Sequence, residues 1–133
     1  MAVLRTINPS TIASSASNYS QAVLVEPNVR TLYVSGQLGM DRGGVVLAGF
    51  HAQMQQAMAN LFAVLEDVGM TRSDIVKLTV FSADPSEAAI QSYRTVRDTM
   101  LGDHAPAALY ASVTGFTHPD FLVEVEAVAA AAI

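Results

Sequence analysis

The chain has 133 residues, 51% of them hydrophobic and only 14% charged, and seven Lys and Arg against twelve Asp and Glu give a net charge of −5. With no basic run, that balance argues against electrostatic binding to nucleic acid or to a membrane surface. The absence of cysteine rules out disulfides, a thiol nucleophile and cysteine metal sites.

Such a length fits a single domain over residues 1–133. So little charge cannot cover its surface, so part of the apolar surface is expected to be hidden against another subunit. His51, His104 and His118 are scattered without zinc-ligand spacing, and no metal site is expected. Met1 to Arg5 is too short an apolar run for a signal peptide and no segment is long enough to span a bilayer, which makes a cytoplasmic protein the expectation.

Val3 to Ile7 reads as a short strand that stops at Asn8-Pro9, because proline cannot extend a ladder. In the stretch from Ser10 to Asn18, small hydroxyl side chains compete with regular backbone hydrogen bonding, predicting a surface loop that delivers Tyr19. Gln21 to Glu26 and Thr31 to Ser35 are predicted to form a hairpin around Pro27-Asn28-Val29-Arg30, with Ser35-Gly36-Gln37 closing the second strand. Gly36 permits a positive φ or a close backbone approach. After an Asp41-Arg42-Gly43-Gly44 turn, Met54, Ala57, Met58, Leu61, Leu65 and Val68 recur at helical spacing, predicting a helix from about Phe50 to Val68 that Gly69 stops.

Asp74 to Phe81 alternates as a strand, with Val76, Leu78 and Val80 on the face expected to meet the helices. Asp84-Pro85-Ser86-Glu87 predicts a helix start with Asp84 as the cap. That helix is expected to reach Leu101, with Ala89, Tyr93, Val96 and Met100 inward and Arg94 and Arg97 toward solvent. Ala107 to Thr114 and Phe121 to Ala130 are predicted as a final strand pair around the turn from Gly115 to Asp120. In the last strand, alternation puts Glu124, Glu126 and Val128 on one face and Val123, Val125 and Ala127 on the other. A carboxylate there sits either at a wet sheet edge or in a crevice suited to acid–base chemistry.

Paired strands with two interspersed helices predict an α+β layer, one sheet with both helices on one face. The bare face carries Thr79, Phe81 and Glu124 or its neighbours, a mixture too apolar to leave in water, which points to subunits packed sheet against sheet.

Tyr19-Ser20-Gln21-Ala22-Val23, Val34-Ser35-Gly36-Gln37, Asp74 to Phe81 and Val123-Glu124-Val125-Glu126-Ala127 resemble, in that order, the Rid family. These are the reactive-intermediate imine and enamine deaminases, also called YjgF-type or L-PSP endoribonuclease-like proteins. Gln53, Gln56 and Asn60 match the same pattern. The resemblance spans nearly the whole chain. It implies a chorismate-mutase-like fold with a mixed sheet, a homotrimer with a barrel-like centre, and a ligand cleft at each subunit interface. It also implies Glu124 and Tyr19 as catalytic residues, the first activating or orienting water and the second donating a hydrogen bond. Ser35, Gly36, Ala108 and Tyr110 fall on its ligand-binding positions. In the deaminating members an arginine on the fifth strand clamps the substrate carboxylate, but here Ala108 occupies that position and Ile90 that of a helix asparagine. Alanine cannot reproduce the bidentate, charge-assisted fork of arginine, which argues against free 2-imino acids.

Two functions stay open. One is hydrolysis, or another transformation, of a small imine- or enamine-like compound in a cleft between subunits. It calls for no cofactor, since a protonated imine is already an electrophile. The alternative is a non-catalytic homotrimer that binds a small molecule, because a fold can outlast its site. A ribonuclease is suggested only by the family's older name and sits poorly with the negative charge and the lack of a His pair.

Overall fold

The computed structural model describes residues 3–15 and 17–133. Met1 and Ala2, where the N-terminal reading begins, and Ala16 in the serine-rich loop lie outside the described residues. A four-stranded mixed sheet, ordered β3-β6-β4-β5, forms the centre. Strand β6 (Val123–Ala132) lies antiparallel between β3 (Val29–Leu38) and β4 (Ile75–Ser82), and β5 (Ala107–Ser112) runs parallel to β4 at the edge. Two helices, α1 (Phe50–Asp67) and α2 (Glu87–Leu101), complete the expected α+β layer.

Two strand pairings differ from expectation. Strand β2 (Ala22–Val25) does not make a hairpin with β3 but pairs antiparallel with β1 (Leu4–Ile7). Asn28 turns the chain with φ of 66°, and β3 continues along β6, a ten-residue strand able to match its length where the four-residue β2 cannot. Likewise β5 pairs with β4, not β6. Helix α2 is the crossover between β4 and β5, and a crossover delivers parallel strands, whereas both edges of β6 are occupied by β3 and β4.

The core forms where alternation on the strands meets the helical stripes. Val123, Val125, Ala127 and Ala129 of β6, with Leu78 and Val80 of β4, pack against Met54, Ala57, Met58, Leu61 and Leu65 of α1 and against Ala89, Tyr93 and Val96 of α2. On β4 a register slip between Ile75 and Lys77 brings Ile75 into the core and leaves Val76 half-buried, reversing the assignment made from strict alternation. Helix α2 is capped by Ser86 rather than Asp84: the Ser86 hydroxyl accepts from the Ala89 amide at 3.2 Å, while Asp84 Oδ1 accepts from the Ser86 amide at 2.9 Å. Hydrogen bonding from Ser86, its side chain first and its amide second, holds the Asp84 carboxyl below its ordinary pKa. Helix α1 ends at Gly69 as expected, with φ of 74° and the Met70 amide returning to the Leu65 carbonyl. Among the described residues no helix is long and apolar enough to cross a membrane.

Gln53 is the buried polar exception on α1. Its Nε2 donates to the carbonyls of Leu47 and Asp120 at 2.9 and 2.8 Å, and its Oε1 accepts from the Leu122 amide at 2.9 Å. One side chain thus satisfies three loop backbone groups and holds the entry to β6. Asn60 does similar work one face along, donating to the carbonyls of Leu38 and Met40. Gln53→Leu keeps the volume but orphans those groups, and is expected to lower stability by about 2–4 kcal/mol in urea unfolding. A loss below about 0.5 kcal/mol would show that water replaces the side chain without penalty.

Candidate functional site

The expected site residues separate into two groups because the sheet lies between them. Val80 and Val125 are core-facing partners across the β4–β6 ladder, and their neighbours Phe81 and Glu124 are paired on the opposite, bare face. Tyr110 belongs to the helix side: its ring stacks on Tyr93 of α2 with centroids 4.5 Å apart.

On the bare face, Glu124 and Gly36 meet. Strand β3 carries an extra residue between Val34 and Gln37, so Gly36 lies within the strand at a bulge and does not close it. The Glu124 carboxyl occupies the space over Gly36: a Cβ added there would overlap Glu124 Oε1. Glycine is therefore required by a close approach, with no positive φ involved. Both residues line a 290 Å³ cavity with Phe81, Phe116 and Glu126. None of the ion pairs among the described residues involves Glu124. Ser35, next to Gly36, is exposed and its carbonyl accepts from Gln37 Nε2 at 3.0 Å.

On the other side, Tyr19, Ala108 and Tyr110 line a cavity of 390 Å³ between α2 and β5. Ser20 puts Tyr19 there: its hydroxyl donates to the Ala105 carbonyl, its amide donates to the Pro106 carbonyl at 3.1 Å, and it bridges to Ala107. The loop is thereby tied to the start of β5. Tyr93, Arg94 and Arg97 complete the α2 wall.

Arg97 is the residue sequence reasoning misplaced. It is 2% exposed rather than solvated. Its Nε donates to Asp98 Oδ1 at 2.9 Å, its Nη1 donates to the Tyr93 hydroxyl at 3.2 Å, and the guanidinium lies 5.0 Å from the Tyr93 ring centroid. Burial works against its charge, but Asp98 and Tyr93 outweigh that and raise its pKa above the ordinary arginine value. The available signal was spacing: Arg97 is four residues past Tyr93 on the stripe that faces inward.

The Tyr110 hydroxyl is buried and makes no hydrogen bond among the described residues. Burial pushes the phenol above its usual pKa; the neighbouring Ser82 hydroxyl, itself bonded to the Asp84 carbonyl and amide, opposes the rise, and the Asp84 charge and Tyr93 add smaller upward contributions. No group of three or more His, Cys, Asp or Glu able to hold a metal occurs among the described residues.

An α+β layer of this topology recurs among solved structures. The family model described as endoribonuclease L-PSP matches residues 10–131, and the chain belongs to that family, which includes the Rid and YjgF-type proteins. Over 132 residues it is 34% identical to a 2-iminobutanoate/2-iminopropanoate deaminase of Rattus norvegicus, covering 96% of this chain and 90% of that protein. The corresponding protein of Bos taurus is 38% identical over 98 residues, 72% of this chain and 66% of that one. In structure it is similar to a Rid-family protein of unknown function from Yersinia pestis, with a TM-score of 0.87 and 30% identity, covering 98% of this chain and all of that one.

Because the Tyr110 hydroxyl has no partner, Tyr110→Phe is expected to leave stability unchanged or raise it by up to about 1 kcal/mol. Wild type keeps the Tyr110 proton longer than the unfolded chain does, so stability falls as pH rises above about 10. The variant should lose that part of the alkaline decline and the late step in phenolate absorbance. Destabilisation beyond about 1 kcal/mol would reveal a hydrogen bond the geometry does not contain.

Proposed function

We propose that the protein hydrolyses small imines or enamines in a cleft completed between subunits, each supplying one of the two walls described above. The observation that carries this reading is the Glu124 carboxyl seated over Gly36 in a cavity walled by Phe81 and Phe116, with no cation paired to it among the described residues. Such a group can take a proton from water as the water oxygen attacks the C=N carbon. Returning that proton to nitrogen makes ammonia the leaving group, and as the C–N bond breaks the adduct hydroxyl gives its proton back to the Glu124 carboxylate and becomes the carbonyl. Electrons and atoms balance with water alone, and no electron carrier is required.

Within one chain Glu124 lies across the sheet from Tyr19, so the two act together only if a second copy lays its β5 edge and α2 against the bare sheet face. That face suits the purpose. It carries Tyr33, 78% exposed, with Phe81 and Val128 among Lys77, Thr79 and Glu126, and covering its exposed apolar groups favours contact with another subunit. A homotrimer would form three such clefts. Tyr19 would donate to the substrate, and the outward backbone of β5 near Tyr110, at the edge of the sheet, would fix it. The names of the rat and bovine relatives, both imine deaminases, support the reaction class. Ala108 supplies no cation from the β5 wall.

The test is ammonia release from freshly generated imines, with and without a carboxylate, by wild type and Glu124→Gln. Wild type should accelerate release from at least one imine, and the variant should lose about 10²–10⁴-fold of that rate, the range for a positioned acid–base group. Equal rates in the two proteins would remove Glu124 from the chemistry. No acceleration of any imine would favour the alternative, a small-molecule-binding oligomer without turnover.

A further inference from the structure

In a chain of net charge −5, the 390 Å³ cavity between α2 and β5 is lined by two arginines, Arg94 and Arg97, and by no carboxylate. Arg97 is buried and permanently charged, and a buried cation is costly unless its donors are used. Two of its five N–H groups go to Asp98 and Tyr93, and Nη2 has no protein partner among the described residues. The half-buried Arg94 adds a second positive charge to the same wall. Apart from Ser17, the remaining wall is apolar and aromatic: Ile90, Ala108 and the tyrosines, with the rings of Tyr93 and Tyr110 stacked.

We propose that Arg97 is an anion anchor, and that the cavity takes a small carboxylate with a bulky apolar or aromatic body. The carboxylate meets the free guanidinium edge of Arg97, helped by Arg94, while the body lies along Ile90 and the tyrosine rings. Charge-assisted contacts from a planar fork select a carboxylate over a neutral group of the same shape. The cation stands on the helix wall, not on β5, so a bound carboxylate enters from the side opposite Ala108. With alanine there, the floor leaves room for a larger body, and the volume falls within the usual range of about 300–1,000 Å³ for ligand cavities. As a statement about the substrate, this rests on the cleft proposed above; carboxylate binding itself does not.

Benzoate and benzamide share a shape and differ in charge, which makes them suitable probes for calorimetry and for the guanidinium ¹H–¹⁵N resonances of the full-length protein. Wild type should bind benzoate at least about tenfold more tightly than benzamide, with the Arg97 resonances shifting for benzoate alone. Arg97→Gln should lose that preference while retaining benzamide affinity. Should Arg97→Gln fail to fold, the wild-type comparison still decides: equal binding of the two probes, no binding of either, or Arg97 resonances unmoved by benzoate overturns the proposal. Benzoate preference persisting in a folded Arg97→Gln protein overturns it as well. Ammonia release bears separately on the reaction, so carboxylate binding without turnover leaves the anchor standing, and turnover without carboxylate preference removes it.

Discussion

The phase of β6 is the constraint on which the rest of the molecule depends. A strand with one buried face has no tolerance for a one-residue slip, because the slip exchanges every side chain between core and bare face. Gln53 prevents it from below by binding the Leu122 amide and the Asp120 carbonyl just before the strand begins. Val123, Val125, Ala127 and Ala129 are then committed to the core, and Glu124 and Glu126 to the opposite face. The bulge in β3 brings Gly36 beneath the Glu124 carboxyl, where a side chain could not be accommodated.

The same sheet that positions Glu124 also separates it from Tyr19 and Tyr110. A chain arranged in this way presents two incomplete walls, one acidic and apolar on the bare face, the other cationic and aromatic between α2 and β5. On the proposed reading, assembly has two consequences at once: it covers the exposed Tyr33 and its neighbours, and it brings the carboxylate of one chain opposite the arginines of another. The low charge content and the split site then have a common explanation.

Local periodicity made much of this architecture legible. Helix α1, its stop at Gly69, the span of α2 and the facing of Glu124 all follow from spacing within a few residues of each position. Strand partners were less accessible, since β2 with β1 and β4 with β5 are matched by length and crossover rather than by neighbouring residues. The slip that buries Ile75 in place of Val76 carries no mark in the alternation itself. Arg97 was hidden for another reason. Charge suggests solvent, and only the coincidence of Asp98, Tyr93 and the adjoining cavity makes its burial tolerable. Ser20, whose two hydrogen bonds hold Tyr19 beside β5, likewise has a role set entirely by residues some 85 positions away.

The claim that the reaction cleft is shared between copies is tested most directly by mixing chains. Glu124→Gln and Tyr19→Ala proteins, each defective in ammonia release alone, would be unfolded together, refolded and assayed on the best imine substrate. If each cleft takes Glu124 from one chain and Tyr19 from the next, random assembly restores both groups to roughly a quarter of the clefts, and activity returns in that proportion. Mixed assemblies that form but stay as inactive as the separate variants would contradict the shared cleft.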